Sequence, residues 1–120
     1  MPDIRQLDES QTTVVQAIYM ALADRPWRVV RYVAKFTPTA DVWSSDYDLI
    51  HEDGREEGVL PTVAASRHVN SLAHHHWKLT QDLGQPRWYK MIVTIERNGK
   101  FKVDFEYKDD YKEGDIMQRG

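Results

Sequence analysis

Hydrophobic and polar positions alternate at every step through FKVDFEY, residues 101–107: Phe101, Val103, Phe105 and Tyr107 share one face, Lys102, Asp104 and Glu106 the other. A period of two is the mark of a strand with one face buried. RWYKMIVTIE (87–96) ends just before this run and reads as its partner strand. Between them lies Asn98-Gly99, a hairpin signal. A two-residue loop would set Ile95 against Lys102 and Val93 against Asp104. A three-residue loop, Arg97-Asn98-Gly99 with Gly99 left-handed in a bulge, pairs Ile95 with Phe101, Val93 with Val103 and Met91 with Phe105. It also sets Glu96 opposite Lys100 and Lys90 opposite Glu106, so charge and hydrophobicity agree. The three-residue loop is therefore expected.

Helical spacing governs two other stretches. Val14, Val15, Ile18 and Leu22 recur on one side of a helix expected from Asp8 to Ala23, with Asp8 and Gln11, or Ser10 alone, as its N-cap and Pro26 as its stop. Val69, Leu72, His76, Leu79 and Leu83 form the stripe of a second helix, Pro61 to Leu83, closed by Gly84 and Pro86. WRVVRYVAKF (27–36) is rich in β-branched and aromatic residues and predicts a strand; Thr37, Pro38 and Thr39 make a turn. DVWSSDYDLI (41–50) alternates, with Trp43, Ser45, Tyr47 and Leu49 on one side. HEDGREEG (51–58) carries no apolar anchor and reads as an acidic loop. The order is α-β-β-α-β-β, an α+β fold: an antiparallel sheet of about four strands with both helices on one face, in one domain spanning 1–120.

Composition narrows the function classes. The chain has 120 residues, 41% hydrophobic and 29% charged, as in ordinary globular proteins. No apolar run is long enough to span a bilayer. MPDIRQLDES has acid near its start and no apolar segment, so it does not read as a secretory signal. The absence of cysteine removes disulfides and thiolate metal sites and fits a reducing compartment. A formal charge of −3 argues against a dedicated nucleic-acid binder.

Candidate chemistry is sparse. His74, His75 and His76 are consecutive, and helix neighbours point ~100° apart, so the three do not converge on one ion. His76, in the apolar stripe, is expected to be a core-edge histidine with a hydrogen bond. Asp104, Glu106, Asp109 and Asp110 imitate a nuclease's metal-binding carboxylates, but Lys102 and Lys108 flank them and no base can be named. A solvated face with balancing lysines is the stronger reading of those acids as chemistry. There is no Gly-x-Ser-x-Gly elbow, phosphate loop or dinucleotide fingerprint. The tryptophans at 27, 43, 77 and 88 mostly fit core positions.

Acid is concentrated instead in two places: Asp46, Asp48, Glu52, Asp53, Glu56 and Glu57 in one strand and its loop, and Asp104, Glu106, Asp109, Asp110, Glu113 and Asp115 in the last strand and tail. Acid on one sheet is also what a binder of a basic protein presents, because complementary charge speeds encounter and rejects wrong partners.

The stretch WYKMIVTIERNGKFKVDFEYKDD resembles the C-terminal hairpin of the YezG-like immunity proteins, with a tryptophan-led strand, a Gly-Lys turn and Phe-x-Val-Asp-Phe-x-Tyr followed by acid. The resemblance is close over residues 88–110 and architectural elsewhere, and the His-rich second helix and the loop at 51–58 depart from it. It implies an α+β antidote, not an enzyme, that binds the C-terminal domain of a polymorphic or contact-dependent growth-inhibition toxin in the cytoplasm of the producing bacterium. The expected partner is a basic nuclease domain. The expected contact residues are Asp104, Glu106, Asp109 and Asp110 with Asp46, Asp48, Glu56 and Glu57. No catalytic residue, metal, cofactor, small-molecule substrate, nucleic acid or membrane partner is expected. The rival readings are a general protein–protein adaptor and a small metal-dependent hydrolase.

Overall fold

The computed structural model describes residues 4–36 and 42–107, with the side chains of Ile4, Val42 and Trp43 left aside. The expected turn at 37–39 and the residues Asp109 and Asp110 lie outside the described residues. The elements are α1 (Ile4–Leu22), β1 (Val29–Phe36), β2 (Val42–Ile50), β3 (Glu56–Val59), α2 (Val63–Asp82), β4 (Trp88–Glu96) and β5 (Phe101–Tyr107). The strands form one antiparallel sheet in the order β3-β2-β1-β4-β5. The α+β class and the paired helices are as expected; the sheet has five strands rather than four.

The fifth strand is β3, cut from the expected acidic loop at 51–58. Its formation follows from the turn before it. The His51 N–H donates to the Arg55 carbonyl at 2.8 Å, the Gly54 N–H donates to the His51 carbonyl at 2.9 Å, and Gly54 has φ +87°. The 97–99 turn repeats this pattern: the Glu96 N–H to the Lys100 carbonyl at 2.8 Å, the Gly99 N–H to the Glu96 carbonyl at 2.9 Å, and Gly99 at φ +95°. In each, the residue before glycine accepts from the backbone N–H two positions on, Asp53 from Arg55 and Asn98 from Lys100, both at 3.0 Å. That bond also holds the Asp53 carboxyl below the usual carboxylate range. A type I turn closed by a left-handed glycine returns the chain in register, so β3 pairs with β2 despite two glutamates and a glycine.

The register expected for the last hairpin is the one observed: Ile95 opposes Phe101, Val93 opposes Val103, Met91 opposes Phe105 and Lys90 opposes Glu106. The apolar side of β5 turns toward the helices. At this edge strand, however, Phe101 stays 44% exposed and Tyr107 53%.

Both helices cover the same face of the sheet. Val30, Tyr32, Ala34 and Phe36 of β1, Tyr47 and Leu49 of β2, and Met91, Val93 and Ile95 of β4 pack beneath Val14, Val15, Ile18 and Leu22 of α1 and Val69, Ala73 and Trp77 of α2. Burying such side chains contributes roughly 1.5–3 kcal/mol each. Two clamps tie the layers. In one, the Trp77 indole N–H donates to the Trp88 carbonyl at 3.0 Å, and the Trp88 indole N–H donates to Thr80 at 3.1 Å. In the other, Arg97 of the hairpin turn donates to the Ala23 carbonyl at 2.9 Å and lies 4.3 Å from the Trp27 ring centroid. That places a cation at the C-terminal, partly negative end of α1. Trp27, Trp77 and Trp88 are thus core residues.

Two helix details differ from expectation. α1 begins at Ile4, so Asp8 and Ser10 are interior and not an N-cap. The buried stripe simply runs back through Ser10, whose hydroxyl lies 3.2 Å from His76 Nδ1 at the crossing with α2. α2 buries Val69, Ala73, His76, Trp77 and Thr80, while Leu72, Leu79 and Leu83 are only half-buried. The face is rotated because Trp77 and Thr80 hold Trp88.

His76 is the hydrogen-bonded histidine that its place in the stripe predicted. It is 1% exposed, stacks on Phe105 with ring centroids 5.9 Å apart, and its pKa is lowered to about 4 by burial and then by neighbouring His75.

Candidate functional site: the open face of the sheet

Because both helices take one face, alternation sends every second strand residue to the other, where no described helix lies. Reading the register across the sheet, one row runs Gly58, Asp48, Arg31, Thr94, Lys102; the next runs Asp46, Val33, Ile92, Asp104; a third runs Ser44, Lys35, Lys90, Glu106. Glu56 pairs with Ile50 at the β3 edge of the same face. Val33 and Ile92 are half-buried and form a short apolar floor at the centre.

Five of the eight expected contact residues therefore share this face: Asp46, Asp48, Glu56, Asp104 and Glu106. Glu57 does not. It opposes Leu49 on the helix side of the sheet edge, where its carboxylate lies 2.9 Å from His51 Nε2. Asp109 and Asp110 lie outside the described residues.

The five do not form one acidic patch. β2 and β5 are three strand spacings apart, ~14 Å, and the two strands between them carry cations. Arg31 reaches Glu56 at 3.1 Å and Asp48 at 3.6 Å; Lys90 reaches Glu106 at 3.0 Å, the cross-strand pair expected from the register; Lys102 reaches Asp104 at 3.5 Å. The side chains in these pairs are 26–75% exposed, so each pair contributes little to stability, typically below ~1 kcal/mol. The face is banded: acid on β3 and β2, base on β1 and β4, and acid with Lys102 on β5.

Sequence reasoning missed the basic band. Arg31, Val33 and Lys35 alternate with Val30, Tyr32, Ala34 and Phe36 in β1, a period of two that identifies the outward cations once β1 is known to be central. A groove of about 810 Å³ runs over this region, lined among others by Arg25, Arg31, Lys35, Lys90, Asp46 and Leu60. Leu60 is 82% exposed. Arg25 reaches it from the α1–β1 connection, donating to its carbonyl at 3.1 Å.

Elsewhere the chemistry is thin. Among the described residues no three histidine, aspartate or glutamate side chains are grouped to hold a metal ion, and no helix is long and apolar enough to cross a membrane. The Tyr32 hydroxyl donates to Asn70 Oδ1 at 3.0 Å, and its pKa is driven upward by burial and then by Tyr47. The Tyr47 hydroxyl is buried without a hydrogen-bond partner. Burial raises its pKa too; Ser66 of α2 opposes that shift from a position short of hydrogen-bond geometry.

The chain is thus a small α+β fold with one sheet face covered by helices and the other banded in charge. Residues 63–119 match the family model described as Immunity protein YezG-like, a span that begins at the first residue of α2 and takes in β4 and β5. The likeness seen in the hairpin thus extends back through the His-rich helix. No curated protein matches the chain.

Proposed function

We propose that this chain is an immunity protein that binds the C-terminal domain of a bacterial toxin through the open face of its sheet and neutralises it in the cytoplasm of the producing cell. The reading rests on one observation above others: an entire sheet face is charged in bands yet left uncovered by either helix, in a chain whose second half matches an immunity family. The protein acts by occupying the toxin surface, with no chemistry of its own. A nuclease is the toxin class that fits best, since acid at β2 and β5 suits the basic surface on which such an enzyme holds phosphates.

The test is binding and protection with the toxin domain encoded beside the gene. Charge reversal of Asp46, Asp48 and Glu56 as one set, and of Asp104 and Glu106 as another, is expected to leave the melting curve nearly in place, because exposed ion pairs carry little stability. Reversal of Asp109 and Asp110 forms a third set. At least one set is expected to slow association and abolish protection of cells. Full protection and wild-type association by all three sets would remove the acidic bands from the interface.

A further inference from the structure

We infer that the free edge of β5 pairs with the β5 edge of a second copy of this chain, antiparallel and centred on Val103. The inference goes beyond the function proposed above and does not depend on it. Natural sheets protect a free edge by keeping it short, or with charge, proline or a bulge. β3 fits that pattern, with four residues of which two are glutamate. β5 is seven residues long, carries no proline, and keeps an unbroken register with β4 from Phe101 to Glu106. Among the described residues no strand lies beyond it. The Lys100 carbonyl accepts from the Glu96 N–H of β4, so by alternation the N–H and C=O groups of Phe101, Val103 and Phe105 point to the free edge. Phe101 and Tyr107 stay exposed on the helix side of that edge, and Val103 and Phe105 are only half-buried. Charge is the one protection left to β5, and its arrangement attracts a copy of itself.

The run KFKVDFE, residues 100–106, carries base before Val103 and acid after it. Turned end for end, it complements itself. With Val103 opposite Val103 of the second copy, Lys102 meets Asp104, Lys100 meets Glu106 and Phe101 meets Phe105. Every opposed pair is then apolar or of opposite charge. Outward-pointing residues must oppose one another, so the next registers either way set Asp104 against Asp104 or Lys102 against Lys102. The Val103-centred register alone among these avoids like charges. Pairing with β4 accounts for only part of the pattern. It sets Glu96 against Lys100 and Lys90 against Glu106, but Thr94 against Lys102 and Ile92 against Asp104. The ion pair printed for Lys102 and Asp104 runs along their own strand, at 3.5 Å and with both side chains exposed. In the dimer these two join Asp104 and Lys102 of the second copy in a group of four charges of alternating sign. On the helix side, Phe101, Val103 and Phe105 of both copies close into one apolar strip. A contact along a single edge belongs to the small class of interfaces, under ~1,200 Å², so the dimer is weak and depends on concentration.

The test is sedimentation velocity of the chain from ~1 µM to ~1 mM, a range that brackets weak association. The wild type is expected to pass from monomer to dimer across it. Lys102→Asp alone, and Asp104→Lys alone, oppose like charges and are each expected to weaken dimerisation about tenfold or more, with circular dichroism unchanged. Mixed in equal amounts, the two variants are expected to dimerise again, because every opposed charge then meets its opposite. A role confined to the folding of one chain would not produce that rescue. The chain has no cysteine, so a single introduced one reads the register without background. Residues of a hydrogen-bonded pair lie ~5.5 Å apart between Cα atoms, within disulfide reach. Val103→Cys is expected to give an oxidised dimer, and Asp104→Cys, which opposes Lys102, is expected not to. A wild type that stays monomeric throughout would overturn the inference, as would charge variants that associate like the wild type or a mixture that fails to rescue. If the wild type is monomeric and folded Val103→Pro, which deletes one outward N–H, no longer binds the toxin domain encoded beside the gene, the edge takes a strand of that partner and not a second copy.

Discussion

Protonating His76 should destabilise this protein. Its ring is buried at the α1–α2 crossing, its Nδ1 faces Ser10 and its plane lies on Phe105. A histidine titrates near 6.5 in an unfolded chain, and this one at about 4 when folded. Between those values the unfolded state binds the proton and the native state does not. Stability is therefore full above pH ~6.5 and falls as the pH is lowered toward ~4, where the loss levels off. At ~1.4 kcal/mol for each pH unit between the two pKa values, the loss is about 2 kcal/mol at pH 5 and about 3 kcal/mol at pH 4. That is a large share of a typical domain's 5–15 kcal/mol. The assay is urea unfolding followed by far-ultraviolet circular dichroism from pH 7.5 to 4, for wild type and His76→Gln. Glutamine keeps a polar partner for Ser10 and does not titrate. Its lost stacking lowers stability by the same amount at every pH, and the surface carboxylates titrate alike in both proteins. The difference between the two curves therefore isolates His76, and the wild type should lose its advantage progressively below pH 6.5. A difference that stays flat from pH 7.5 to 4, or a magnetic-resonance titration placing His76 near 6.5, would refute the reasoning.

Two further predictions concern the backbone and the buried tyrosines. Gly99→Val should lower stability by ~1–2 kcal/mol or more, since a β-branched residue is strained at φ +95° although nothing lies within 4 Å of the added Cβ. Chemical denaturation measures it, and a loss below a few tenths of a kcal/mol would contradict the turn geometry. Tyr47→Phe, which removes a buried hydroxyl that has no hydrogen-bond partner, should be neutral or stabilising by up to ~1 kcal/mol. Tyr32→Phe should instead destabilise by ~1 kcal/mol or more, because it strips the donor from Asn70. The two melting temperatures, compared side by side, should move apart.

The β4–β5 hairpin was legible because two independent signals coincide there: alternation fixes the faces, and Asn98-Gly99 limits the loop to lengths that only one register satisfies. β3 carries half of that evidence. Asp53-Gly54 is the same turn signal, but Glu56, Glu57 and Gly58 lack β propensity and show no apolar alternation. Neighbouring β2 supplies the pairing, which no local pattern reveals. In α2 the helix was legible and its buried face only roughly, since Trp77 and Thr80 turn inward to meet Trp88, a contact made across the fold. For the candidate site, the acids of β2 and of β5 could be placed on strands from the sequence, while Glu56 read as part of a loop. Their separation could not, because it depends on β1 lying between β2 and β4. The cations of β1 were hidden for the same reason: outward positions on a strand mean little until the strand's neighbours are known.

The division of each strand between a helix-covered and an open face has a consequence for how such a protein can change over time. In β1, Val30, Tyr32, Ala34 and Phe36 are locked in the core, while Arg31, Val33 and Lys35 meet solvent on their other side. Substitutions at the second set leave packing density undisturbed, so most cost under ~0.5 kcal/mol and drift beneath the stability threshold that purges core changes. The open face can thus be rewritten almost letter by letter on an unchanged scaffold. A partner that alters its surface can be followed through single replacements, each a folded intermediate, without the chain ever crossing an unfolded one.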